Sequence, residues 1–232
     1  MLSLNIHKSI LLQILKDTYS DTSLGPILGF KGGTAAYLFY NLSRFSVDLD
    51  FDLLDSSCEN EVFRKVEKIL QNYGVVKDSY QKRHTLFFVL AYDEESPNIK
   101  VEISRRYPNS HYELKNYLGI PMLVITKEDM FAHKLVAMLE RNKVAHRDVY
   151  DVWFFLKNNW PINKKAVEQR TNKEFKEYLQ ECVQFVEKLS ERNVLAGIGE
   201  LLDEKQKVWA KKHLKNDILF LLKLRLTDEL SS

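Results

Sequence analysis

Between residues 47 and 53 apolar and acidic side chains alternate without a break. Val47, Leu49, Phe51 and Leu53 fall on one side of an extended chain, and Asp48, Asp50 and Asp52 on the other. The apolar half requires a buried sheet face, so the segment reads as a core strand. The acidic half places like charges together, a repulsion that a bound divalent cation would remove. Mg²⁺ suits such a face, since it takes hard oxygen ligands and is usually held by one or two carboxylates plus substrate phosphates. Taken singly, an Asp-x-Asp on a strand also fits a solvated face.

Upstream stands Lys31-Gly32-Gly33-Thr34, between a strand read at 26–30 and a helix read at 35–42. Backbone without Cβ approaches a triphosphate closely, and N–H groups opening a helix favour anions. Thr34 can cap that helix or touch a phosphate. A Gly-Gly pair alone also fits a plain turn. The order strand, Gly-Gly-Thr, helix, Asp-x-Asp strand resembles the fingerprint of the DNA polymerase β-like nucleotidyltransferase superfamily. Within it, Lys31-Gly32-Gly33-Thr34 and Arg44-Phe45-Ser46-Val47-Asp48-Leu49-Asp50-Phe51 resemble the AbiEii/AbiGii toxin family.

Further along, a helix at 60–73 and strands at 75–80, 85–92 and 99–104 complete a mixed sheet. Glu102 lies between Val101 and Ile103 and projects to the opposite face. The resemblance nominates it as the third acidic residue of the metal site, with Asp93, Glu94 and Glu95 as rivals placed in a turn. Thr126-Lys127-Glu128-Asp129 opens another helix, on which Lys134, Met138 and Arg141 share a stripe. A snorkelling lysine explains that stripe equally well from the residues alone. Then His146-Arg147-Asp148-Val149-Tyr150-Asp151-Val152 starts a second helix, where ion pairing accounts for Arg147 with Asp151. These segments resemble the remaining motifs of the same toxins. The resemblance gives Lys134 a triphosphate contact and makes Asp148 required for transfer, so Asp48, Asp50, Lys134 and Asp148 form the expected catalytic set. Lys31, Gly32, Gly33, Thr34, Arg44, Lys134 and Arg141 are expected at the nucleotide, and Asp48, Asp50 and Glu102 at the metal. Arg147 and Asp151 are expected to support these residues or to contact phosphate.

Ser46 precedes Asp48 by two residues and so shares its face. The resemblance makes it a candidate for inactivating phosphorylation by an antitoxin, against the reading of a small polar strand residue.

The remaining sequence sets bounds. With 232 residues, 45% of them hydrophobic, the chain can bury a core. A net charge of +2 does not mark a dedicated nucleic-acid binder. The one local candidate, Lys205, Lys207, Lys211, Lys212 and Lys215 around Trp209, fits either RNA contact or a solvated helix face. Cys58 and Cys182 form neither a CxxC nor a cluster with histidine, which suits a reducing cytoplasm. No stretch approaches the about 18 apolar residues of a membrane span. The first segment, 5–19, reads as an amphipathic helix with Ile6, Ile10, Leu11, Ile14 and Leu15 inward and His7 and Lys8 on its polar side. Helices are read at 165–189, 193–204 and 217–226, with Trp160-Pro161 as a breaker.

The expected protein is therefore α+β: a polymerase β-like core with a mixed sheet and helices over 1–125, followed by a helical lobe over 126–232 that completes the active-site cleft. The resemblance implies an Mg²⁺-dependent toxin transferring NMP from an NTP to the 3′ end of tRNA, in the cytoplasm, beside a cognate antitoxin. An antibiotic-modifying nucleotidyltransferase and an inactive partner-binding protein of the same fold are the alternatives.

Overall fold

The computed structural model describes residues 4–94, 96–106, 110–141 and 143–231. Glu95, one of the rivals of Glu102, lies outside them. The chain divides into two units, Met1–Asn41 with Phe45–Thr126, and Leu42–Arg44 with Lys127–Ser232.

In the first unit, helices α1 (Leu4–Ser20), α2 (Gly32–Tyr40) and α3 (Glu59–Gln71) accompany strands β1 (Leu28–Lys31), β2 (Leu49–Leu53), β3 (Val75–Lys82), β4 (Thr85–Ala91), β5 (Ile99–Ser104), β6 (Tyr112–Tyr117) and β7 (Ile120–Ile125). Among the described residues the strands form one sheet in the order β3-β4-β5-β2-β1-β7-β6. The pairs β2/β5 and β1/β7 are parallel and the others antiparallel. The alternating segment becomes β2, with Leu49, Phe51 and Leu53 buried. Beside it Leu86, Phe88 and Leu90 of β4 and Ile99, Val101 and Ile103 of β5 are buried on the same face. There Phe63 of α3 packs against Phe88 with tilted rings, 4.9 Å between centroids. Each such side chain contributes about 1.5–3 kcal/mol by leaving water.

Two local readings change. The inward stripe of α1 runs through His7, Leu11, Ile14, Leu15 and Thr18, all buried, whereas Ile6 is 56% exposed. His7 is thus a core residue. The hairpin β6–β7 was not expected, because β6 is polar and β7 carries Pro121. Its two-residue turn places Leu118 at φ 51° and Gly119 at φ 83°, both left-handed, as a type I′ turn requires.

The second unit is helical: α4 (Lys127–Glu140), α5 (His146–Lys157), α6 (Lys164–Thr171), α7 (Phe175–Lys188) and α8 (Glu204–Ser231). The single helix expected at 165–189 breaks at Asn172, whose left-handed backbone ends α6 while its N–H bonds Glu168 O at 2.8 Å. In place of a helix at 193–204 there are turns and a short 3₁₀ segment, Gly199–Leu201. A capping box opens the last helix. Asp203 Oδ1 accepts the Gln206 N–H and Gln206 Oε1 accepts the Asp203 N–H, each at 2.8 Å, so the last helix starts there and runs on unbroken. Trp209 of α8 packs on Trp153 of α5 at 4.1 Å, so its indole anchors the helix. No helix among the described residues is long and apolar enough to cross a membrane.

Candidate active site

The sheet unit holds the glycine turn and the carboxylates. β1 ends at Lys31 and α2 begins at Gly32, whose φ of +77° is left-handed. A Cβ there would stand 2.1 Å from Asp50 Oδ2. Only glycine meets both conditions. The Lys31 side chain makes no capping bond to α2, whose first turn opens beside Asp50 at the end of a helix where backbone N–H groups favour anions.

Asp50 pairs in register with Lys31 on β1 and with Glu102 on β5. Neighbouring strands lie about 4.8 Å apart, so the Asp50 and Glu102 carboxylates can reach a common ion. Asp48 lies just before β2, outside the ladder, and is fixed by other means. Its carbonyl accepts the Thr34 hydroxyl, and its Oδ1 lies 3.4 Å from the Lys100 N–H. The carbonyl of Val47, one residue earlier, accepts His7 Nε2–H at 3.0 Å, while His7 Nδ1 accepts the Tyr92 hydroxyl at 2.8 Å. Burial holds the His7 pKa below the usual 6.5, in keeping with this neutral tautomer.

Among the described residues no three His, Cys, Asp or Glu side chains by themselves form a metal-holding group. Two or three oxygen ligands beside a glycine cradle nevertheless fit Mg²⁺, whose remaining ligands are ordinarily phosphate oxygens and water.

The structure corrects several expectations. Asp52 does not share in the repulsion, since it is buried and bonded to Lys31 Nζ at 2.6 Å and to the Tyr112 hydroxyl at 2.5 Å. Lys31 is thereby paired with Asp52, its side chain 27% exposed. The Thr34 side chain is 1% exposed and serves Asp48, leaving only its backbone for phosphate. Ser46 is buried, so a kinase reaches its hydroxyl only if the segment before β2 opens. Glu102 is exposed on the face of Asp50.

The helical unit contains a separate ionic cluster. Arg44 Nε and Nη2 each lie 2.6 Å from an oxygen of Asp151. Lys134 Nζ lies 2.9 Å from Asp151 Oδ2 and 2.8 Å from Asp148 Oδ1, and Arg141 Nε lies 2.6 Å from Asp148 Oδ2. The stripe of α4 and the first turns of α5 are what bring these groups together. Both aspartates are fully buried. Burial alone would raise the Asp148 pKa, but Lys134 and the neighbouring arginines hold it below the usual carboxylate value. Burial likewise opposes the Lys134 charge, yet Asp151 and Asp148 outweigh it and raise its pKa. Arg44 is buried and bidentate to Asp151, so its guanidinium is taken up inside the helical unit. Asp148 has no surface to offer a substrate and is paired with Lys134 and Arg141. Arg147 adds to the positive charge around Asp148, and the Arg141 side chain is 45% exposed.

A family model described as the nucleotidyl transferase AbiEii toxin of type IV toxin–antitoxin systems matches residues 13–223. The chain belongs to the AbiEii family. It is therefore a nucleotidyltransferase of the toxin type, and AbiEii membership implies an NTP substrate and an antitoxin partner. Among solved structures it is similar to JHP933 from Helicobacter pylori, at 22% identity and a TM-score of 0.65, covering 100% of this chain and 95% of that one. A second H. pylori protein, described provisionally as a nucleotidyltransferase, gives 21% identity and a TM-score of 0.63 over 97% and 95% of the two chains. At these identities the likeness concerns the fold, and that fold is the α+β nucleotidyltransferase one. No curated protein matches the chain.

In the sequence Ile6 reads as the inward residue and hides His7, which the fold buries. The spacing of His7 to Leu11, Ile14, Leu15 and Thr18 was the available signal.

Proposed function

We propose that this protein transfers a nucleoside monophosphate from an NTP to an acceptor hydroxyl with Mg²⁺ as cofactor, and that the acceptor is the 3′ end of tRNA. The observation that carries the reading is the in-register pair Asp50 and Glu102, with Asp48 beside them, against a turn where Gly32 leaves no room for a Cβ.

Asp48 and Asp50 would hold the cation, with Glu102 as a third ligand or as acceptor of the hydroxyl proton. The metal, when bound, neutralises charge on the attacking and leaving oxygens. Gly32 and Gly33 offer backbone N–H groups to the triphosphate, and in the helical unit Lys134 and Arg141 are proposed as nucleotide contacts. The tRNA acceptor rests on the family: a blocked 3′ end cannot be aminoacylated, which is how such a toxin would stop growth. A cognate antitoxin and a cytoplasmic setting complete the proposal, with phosphorylation of Ser46 as a route of control.

Incubation with each labelled NTP, Mg²⁺ and total RNA, followed by sequencing of the labelled species, tests it. Transfer to tRNA ends is expected, with Asp48→Asn and Asp50→Asn folded but inactive. Wild-type activity in either variant overturns the site, and label on another acceptor overturns the tRNA assignment.

A further inference from the structure

One transverse row of the sheet carries more than the metal carboxylates. Reading across neighbouring strands, Lys31 pairs with Asp50, Asp50 with Glu102, Glu102 with Phe87 and Phe87 with Tyr80. Registered neighbours project to the same face, so all of these stand on the side of β4 opposite the buried Leu86, Phe88 and Leu90. The Tyr80 and Phe87 rings are stacked, with centroids 4.8 Å apart and planes 21° from parallel, and both are only half-buried. Lys82 Nζ lies over both, 4.6 Å from the Tyr80 centroid and 5.8 Å from that of Phe87. Lys100 is exposed on the same face one row away, with Asp78 also in that row, and Arg83 is exposed at the β3–β4 turn.

The order along the row supplies direction. The glycine turn lies at the β1 end, the carboxylates in the middle, and the aromatics at the far end, about 10–14 Å from Asp50 at the usual strand spacing. In phosphoryl transfer the attacking and leaving oxygens are roughly in line on opposite sides of the transferred group. A triphosphate cradled at Gly32 and Gly33 directs pyrophosphate toward the glycine end, so the acceptor hydroxyl approaches from the side of Glu102, Phe87 and Tyr80. This argument rests on the proposed transfer reaction.

We propose that Tyr80 and Phe87, with Lys82, form a platform on which bases near the end of a single-stranded RNA acceptor stack. The flat rings match a base of any sequence, and Lys82, Lys100 and Arg83 match its phosphates. The base of the NTP is not the occupant, because its triphosphate is held at the other end of the row.

The test is anisotropy of a labelled short single-stranded RNA on the full chain, with NTP affinity and the KM values for RNA and NTP measured alongside. Tyr80→Leu with Phe87→Leu keeps the apolar cross-strand contact and removes both π faces. RNA affinity is expected to fall at least about fivefold, the effect of losing one stacked base, and the KM for RNA to rise with it while that for NTP stays unchanged. Tyr80→Trp should restore binding, and its indole should be quenched by RNA beyond any change in the wild-type tryptophans. That quenching reads the platform even if the leucine variant does not fold. Unchanged RNA affinity in the folded leucine variant, absence of quenching in Tyr80→Trp, or loss of NTP affinity in place of RNA affinity would overturn the proposal. RNA bound through the platform but never labelled would uphold the platform and count against the transfer reaction alone.

Discussion

Arg44 and Asp151, 107 residues apart, form a bidentate pair with both N···O distances at 2.6 Å and both side chains buried. Lys134 shares the same carboxylate and that of Asp148. Removing one partner of a buried pair strands an uncompensated charge, which costs about 3–5 kcal/mol. Arg44→Met is expected to lower the thermal midpoint sharply. Lys134→Met should destabilise too, although Arg44 and Arg141 still serve the two aspartates and soften the loss. A Lys134→Met protein as stable and as active as wild type would show that neither the network nor the triphosphate depends on this amine.

Gly32→Ala combines a left-handed φ with a Cβ that would overlap the Asp50 carboxylate at 2.1 Å. The backbone term alone costs about 1–2 kcal/mol. The carboxylate must also move, so Mn²⁺ binding followed by electron paramagnetic resonance should weaken together with transfer. Wild-type Mn²⁺ affinity in the variant would show that Asp50 does not hold the metal.

Leu118 is 76% exposed and left-handed at φ 51°, a conformation that leucine tolerates poorly. Leu118→Asn keeps the type I′ turn with a residue suited to it. The variant should gain about 1 kcal/mol, read as a higher thermal midpoint with transfer unchanged.

His7 and His146 are both buried, and desolvation holds both pKa values below the usual 6.5. Between the lowered folded value and 6.5 the unfolded chain binds more protons than the folded one, so stability rises with pH across that window. It is full above about pH 6.5 and declines as the pH falls through it. Asp148, also lowered, contributes its loss only below the ordinary carboxylate value of 3.8. A thermal midpoint that falls between pH 7 and about pH 5, and falls less in His7→Gln and His146→Gln, is the expected result; a flat profile would contradict it.

Local order was written in the sequence. Alternation at 47–53 made β2, and the glycines made the turn into α2, because each depends on neighbours a few residues away; the start of α8 at the Asp203–Gln206 box, although equally local, is absent from the sequence reading of helices at 193–204 and 217–226. The stripe of Lys134 and Arg141 was equally visible. Tertiary structure decided which charges are occupied and which are offered. Lys31 and Asp52, Arg44 and Asp151, and His7 and Val47 meet across 21, 107 and 40 residues, and periodicity carries no information at those separations. The same holds for the row from Asp50 to Tyr80. A strand's sequence says which residues share its face, but only the pairing register says what stands beside them, and a slip of one residue would send each to the other side.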